Sequence, residues 1–217
     1  MEKVLDVYEQ PLSSEYPVIC FDERPCQLLG DVIQPTLPKP GQEAREDYHY
    51  ERHGTAVVLA AVEPLAGKRI IDIRERKTKA DYSEFMRRVA KQYPDAKKII
   101  LVQDNLNTHT PSSFYESMAA DNAFALSERF QMVYTPKKAS WLNMAEIEFS
   151  ALSKQCLDRR IPTLETLQKE VKSWAARRNR VKVKLSWQFT KIKARTKLQR
   201  HYGKVLKKAS RFQIIKT

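Results

Sequence analysis

Three acidic residues interrupt apolar sequence where strands or helices would begin or end: Asp22 in VICFDE, Asp104 in IILVQDN and Glu146 in SWLNMAEIEF. Carboxylates gathered from separate segments repel one another unless a hard cation bridges them, and all-oxygen ligands of this kind suit Mg²⁺. The chain also carries a formal net charge of +13, which favours a polyanionic partner. A carboxylate trio in a strongly basic chain points to metal-assisted chemistry on a nucleic-acid phosphate.

Each acid also has an ordinary use. Asp104-Asn105 is good turn chemistry, Asp22 can pair with Arg24, and Asn143 followed by Glu146 is a variant of the helix capping box. Alternate residues of a strand share a face, so Val18, Cys20 and Asp22 lie on one side, as do Ile100, Val102 and Asp104. Adjacent strands would bring the two aspartates out together. On a helix, Glu146, Phe149, Ser153 and Cys156 form one stripe, which reads as the buried side. Glu148, about 200° further round at ~3.6 residues per turn, is expected to face solvent. The histidines of HYERH (His49 to His53) are spaced like a metalloprotease pair, but the glutamate is misplaced and the following residues read as strand, so metal ligation is not expected there. His109 is close enough to Asp104 to touch substrate, although a lone loop histidine is usually structural. No Gly-rich phosphate loop and no Ser/His/Asp arrangement stands out.

The elements that must position these residues follow from hydrophobic spacing. Val18 to Phe21 and Ile99 to Val102 read as buried strands. Thr55 to Val62 and Arg69 to Arg74 read as antiparallel neighbours joined by a turn with Pro64 and Gly67, and Phe130 to Tyr134 as a further strand. Tyr82, Phe85, Met86, Val89 and Ala90 make a helical stripe, with Asp81 near its start. Further helices are expected over Ser112 to Ala120 and about 144–158, 164–180 and 188–208. Glu23 to His53, with Pro25, Pro35, Pro38, Pro40 and Gly41 as punctuation, reads as a long connection. The order predicts a mixed sheet flanked by helices.

Composition narrows the class. At 217 residues and 42% hydrophobic, the chain can bury a sizeable core. Its three cysteines form no CxxC pair, and with no secretory signal visible they read as reduced thiols of a cytoplasmic protein. No run approaches the ~18 apolar residues of a membrane span. Charge is uneven: residues 151–217 hold 20 Lys and Arg against 3 Asp and Glu, a net of +17, while residues 1–150 sum to −4. Lys137, Lys138, Arg159, Arg160, Arg177, Arg178 and Arg180 are therefore the expected contacts to DNA phosphates.

The segments PVICFDE, YERHGTAVVLAAVEPLAGKR, VQDNLNTHTPSSFYE, YTPKKASWLNMAEIEFSALSKQCLDRRIP and WQFTKIKARTKLQRHY resemble consecutive blocks of bacterial insertion-sequence transposases. The branch they resemble is insertion-sequence 630 of the mariner superfamily. The similarity runs over roughly residues 1–202, with DNLNTH and SWLNMAEIE its most specific motifs. It implies a ribonuclease H-like fold and a DDE active site in which Asp22, Asp104 and Glu146 are catalytic and hold Mg²⁺ (or Mn²⁺), two ions in all. It also implies cutting and joining of transposon-end and target DNA by a homodimer. Lys138-Ala139 stands where His-Gly is expected, and the tail after Tyr202 has no recognised counterpart. The expected organisation is a lead-in over 1–16, a catalytic domain over 17–160 and a basic helical region over 161–217. The first catalytic strand begins near Pro17, so the family's N-terminal helix-turn-helix region is expected to be absent and the chain reads as a catalytic half: the second frame of a split gene with a separate upstream helix-turn-helix polypeptide, a truncated copy, or a fragment. The rival readings are a structure-selective nuclease of the same fold and a non-catalytic DNA-binding remnant.

Overall fold

A computed structural model describes residues 1–33, 36, 39–41, 43, 47–200 and 202–203. Its centre is a five-stranded mixed sheet in the order β3-β2-β1-β4-β5. β1 (Val18–Asp31) and β2 (Tyr50–Glu63) are antiparallel, and β3 (Lys68–Arg74) returns antiparallel along β2. On the other edge of β1, β4 (Ile99–Gln103) and then β5 (Phe130–Tyr134) add in parallel. The continuous IILVQ run is buried at every position, as expected of a central strand covered on both faces.

Alternation along the strands divides the core. Ile19, Phe21, Ile99 and Leu101 point to one face, packed under α2 (Lys79–Lys91), α3 (Ser112–Tyr115) and α4 (Ala120–Glu128). The Tyr82, Phe85, Met86 stripe of α2 is buried there, and Thr78 with Asp81 closes a capping box at its start. Cys20, Ile100 and Val102 point to the opposite face. There they meet α1 (Glu2–Tyr8), α5 (Ala145–Gln155), α6 (Leu164–Arg180) and α7 (Lys191–Lys197). This is the expected fold class, a ribonuclease H-like mixed sheet between layers of helices. Among the described residues, no helix is long and apolar enough to cross a membrane.

Several elements differ from the expectation. The lead-in is α1, whose Val4 and Leu5 are completely buried, so it belongs to the core. The supposed connection after Glu23 is strand at both ends: β1 runs through Pro25 to Asp31 and pairs with β2 back to Tyr50, with a bulge at Leu28/Leu29. Pairing to β4 stops at Cys20, so beyond it β1 has one edge without a strand neighbour, where proline is tolerated. The helix expected over Ser112–Ala120 stops at Tyr115, and α4 follows it separately. α5 ends at Gln155 and α7 at Lys197; positions 201 and 204–208 of the last expected helix lie outside the described residues. Gly67 has φ +67, and the Lys182 backbone lies 2.6 Å from where a Cβ would stand. Only glycine lets the segment after α6 close on the β2–β3 turn.

Candidate carboxylate site

The register of β1 and β4 creates the site. Val18 pairs with Ile100 and Cys20 with Val102; two residues further along each strand stand Asp22 and Asp104. Both continue the face occupied by Cys20 and Val102, the face on which α5 begins. Glu146 lies in the first turn of α5, exposed; its N–H donates to the Asn143 carbonyl at 3.1 Å, and its carboxylate makes no hydrogen bond or ion pair to other described residues.

Asp22 senses the charges of the other two carboxylates. Burial pushes the Asp22 carboxyl up, the Glu146 and Asp104 charges add to this, and the Glu23 amide opposes it, leaving the group at about 7. Its Oδ1 accepts from the Glu23 N–H at 2.9 Å. Asn143 Nδ2 donates to the Phe21 carbonyl at 2.7 Å and to Asp22 Oδ2 at 3.3 Å. The alternative capping box of Asn143 and Glu146 is not formed: the N-cap position is Met144, with no side-chain cap, and Asn143 Oδ1 accepts from the Ala145 N–H at 3.2 Å. Asn143 is buried and its amide fastens the start of α5 to β1 at Phe21 and Asp22.

Asp104 is held differently. His109, fully buried, sits between two acids, with Nδ1 2.5 Å from Asp104 Oδ1 and Nε2 3.1 Å from Glu23 Oε1. Burial disfavours the imidazolium, but the hydrogen bonds and charges of Asp104 and Glu23 outweigh it and bring His109 to about 9. Burial likewise opposes the Asp104 charge, and the His109 hydrogen bond and charge overcome this, holding Asp104 below the usual carboxylate range. The imidazole stacks on Tyr82 and meets Phe21 edge-on. Gln103 and Tyr134 each donate to the His109 carbonyl at 2.9 Å. The DNLNTH loop is thereby folded back so that one oxygen of Asp104 is clamped and Oδ2 carries no hydrogen bond among the described residues.

The second glutamate of α5 overturns an expectation. The buried positions are Ala145, Glu148, Phe149 and Leu152, a helical stripe that passes through Glu148 and leaves Glu146 outside. Glu148 is 1% exposed. Its Oε1 accepts from Arg69 Nε at 2.5 Å and Arg178 Nε at 2.7 Å, and its Oε2 from the two NH2 groups at 3.1 and 3.2 Å. A carboxylate is stable on the inward face here because two guanidiniums satisfy both oxygens.

The basic residues also divide. Arg178 is 8% exposed and committed to Glu148, so it is no surface phosphate contact. Arg160 reaches Asp31 at 2.7 Å and the carbonyls of Asp47 and His49, pinning the β1–β2 ribbon. Arg159 pairs with Glu170 at 2.8 Å while staying largely exposed. Lys137, Lys138, Arg177 and Arg180 are exposed and make no ion pair among the described residues. His49 and His53 bond to Asp47 and to the Pro162 carbonyl.

The donor set at Asp22, Asp104 and Glu146 fits a hard divalent cation. It offers only carboxylate oxygens, and the pressure on Asp22 comes from burial and like charge that such a cation would relieve. Among the described residues, no three His, Cys, Asp or Glu side chains are placed so that they could hold a metal ion together. Glu146, exposed and unpaired, is the member whose side chain can move.

Comparison with known proteins accords with this geometry. The sequence profile described as "DDE superfamily endonuclease" matches residues 17–168. No curated protein matches the chain. Among solved structures, a Mos1 transposase paired-end complex with left transposon end aligns with TM-score 0.56 and 15% identity, covering 81% of this chain and 52% of that one. A Mos1 mariner paired-end complex with Mn gives TM-score 0.56 and 16% identity, over 83% and 55% of the two chains. The catalytic domain of Mos1 mariner transposase gives TM-score 0.54 and 12% identity, over 81% and 76%. The chain thus spans about half the length of the transposase chains in those complexes.

Proposed function

Because the chain belongs to the DDE superfamily endonucleases, we propose that it is the catalytic part of a mariner-like transposase of the insertion-sequence 630 branch, cutting DNA and joining the cut end to a target. One observation carries this reading: Asp22, two residues past the last β1 position paired with β4, and Asp104, directly after β4, stand at the same level of two adjacent parallel strands, and the charge of Glu146 on α5 reaches Asp22.

Asp22, Asp104 and Glu146 would hold Mg²⁺ or Mn²⁺, two ions in all; bound there, the metal supplies Lewis-acid activation of an attacking oxygen and charge relief at the leaving one. The chain's own residues do the positioning. His109 and the Leu106 amide hold Asp104 Oδ1, so Oδ2 is the oxygen presented. Asn143 fixes the distance between β1 and the first turn of α5, and Arg69 and Arg178 hold α5 through Glu148, which keeps Glu146 over the strand ends. Lys137 and Lys138, in the loop before α5, would neutralise backbone phosphates on that side. The reaction needs no covalent protein intermediate: water attack would free a 3′-hydroxyl, which then attacks a second strand.

Solved neighbours titled as complexes with a transposon end and with Mn or Mg support DNA and a divalent ion as partners here, and we extend this to a homodimer on DNA. The catalytic unit we propose takes in residues 17–160 together with α1, whose side chains are part of its core. A plasmid assay tests the function. With Mg²⁺ or Mn²⁺, the chain should nick or linearise DNA carrying its element's end and produce a joined strand-transfer product. Asp104→Asn and Glu146→Gln should each lower the rate by at least ~1000-fold. Cleavage without joined product would leave a structure-selective nuclease, and full activity of either variant would remove these residues from the centre.

A further inference from the structure

We propose that the exposed indole of Trp141 is a stacking platform for an unpaired DNA base beside the phosphate being cut; this rests on the function proposed for the carboxylate site and specifies the form of DNA it takes. The chain has three tryptophans, and two are committed. Trp174 is 4% exposed, donates to Gln155 at 3.0 Å and lies under the Arg178 guanidinium. Trp187 donates to the Phe189 carbonyl at 2.7 Å and packs on Tyr8. Trp141 is 51% exposed. Its one ring neighbour among the described residues is Phe189, tilted 59° at 5.7 Å, and its indole nitrogen donates to no described group.

Single exposed apolar side chains are common on protein surfaces, but the place of this one matters. Trp141 lies in a short 3-10 turn, Ser140–Leu142, two residues before Asn143, whose amide is 3.3 Å from Asp22 Oδ2. Two residues span at most about 7 Å of backbone, so Trp141 is carried on the turn that leads into the carboxylate site. The exposed Lys137 and Lys138 precede it, with Lys138 at φ 62 turning the chain. An exposed aromatic face beside unpaired cations is the combination that binds single-stranded DNA: the cations follow the backbone and the ring stacks a base of any sequence. A phosphate drawn down to the half-buried Asp22 must leave the regular outside of a duplex. The base it carries then loses a stacking neighbour, which the indole can replace.

Intrinsic fluorescence of the full chain tests this, with Ca²⁺ present and two probes, a twelve-nucleotide oligothymidylate and a blunt duplex of equal length. Oligothymidylate should quench wild-type emission, and Trp141→Phe should remove the quenching, since the remaining indoles are occupied. Trp141→Ala should weaken oligothymidylate binding about tenfold or more while changing duplex affinity less than about twofold, and Trp141→Phe should restore most of the loss. Unchanged emission at saturation, or equal weakening for both probes, overturns the proposal. The two readings fail separately: quenching without metal-dependent cleavage removes the endonuclease chemistry, and cleavage without quenching removes the platform.

Discussion

Asp22 is a carboxylate kept close to the protonated state at neutral pH, and its environment says what relieves it. Burial and the charges of Glu146 and Asp104 bring it to about 7, well above its unfolded value. Its folded form therefore favours the bound proton: the stabilising contribution is fully present below the unfolded value near 4 and is lost as pH rises through about 7. In metal-free protein at pH 8, Asp22→Asn should raise the melting temperature, by about 2 kcal/mol or roughly 4–8 °C at this chain length. Near pH 5 the difference should shrink, because wild-type Asp22 is then largely protonated. Mg²⁺ should stabilise the wild type at pH 8 and Asp22→Asn much less. Scanning calorimetry at the two pH values decides it; an Asp22→Asn chain less stable than wild type at pH 8 would contradict the electrostatic account.

The α5 helix shows two glutamates two residues apart with unrelated work. Glu148 is enclosed by Arg69 and Arg178 on the inward face, while Glu146 stands outside without partners. Removing one member of a buried, hydrogen-bonded ion group leaves an uncompensated charge and typically costs ~3–5 kcal/mol. Glu148→Gln retains part of the hydrogen bonding, so a loss of about 2–4 kcal/mol is expected, read as an earlier urea midpoint. Glu146→Gln should leave that midpoint within about 0.5 kcal/mol, as a surface change does, and abolish cleavage. The reverse pattern would assign the two residues the other way round. In the sequence, the buried network had a faint signal: Arg178 occupies an apolar position in the Leu167, Val171, Trp174 stripe of α6, and a charge on such a stripe calls for a partner. Which acid supplies it is set by packing between elements distant in sequence.

Across the whole molecule, the excess positive charge is not uniformly available. Arg160 and Arg178 are consumed internally and Arg159 is shared with Glu170, whereas Lys137, Lys138, Arg177 and Arg180 remain open to solvent. DNA affinity measured against salt should show this division. Each phosphate contact contributes a slope of about −0.9 in log K against log salt for duplex DNA, so replacing Lys137 and Lys138 with alanine should flatten it by up to about 1.8 if both bind phosphate. Arg160→Ala should lower thermal stability, through loss of the Asp31 pairing and the ribbon carbonyls, with little change of slope. Equal slopes for wild type and the lysine pair variant would move the DNA path away from the loop before α5.

Local pattern alone determined the strands, the α2 and α6 helices, the mixed sheet and the three candidate carboxylates. Apolar periodicity is a property of neighbouring residues, and an aspartate at the end of a buried run is visible without knowing what lies beside it. The continuation of β1 through Pro25 was hidden because proline reads as punctuation and the alternation beyond it is only Cys26 and Leu28, too short to stand out. Which side of α5 faces inward, the clamp of His109 between Asp104 and Glu23, and the use of Asn143 as a tie to Asp22 were decided only by tertiary structure. Each depends on a partner 86 to 121 residues away or on a helix rotation set by packing. A buried charge is tolerated only where folding delivers its counterion, and the linear chain does not display that meeting.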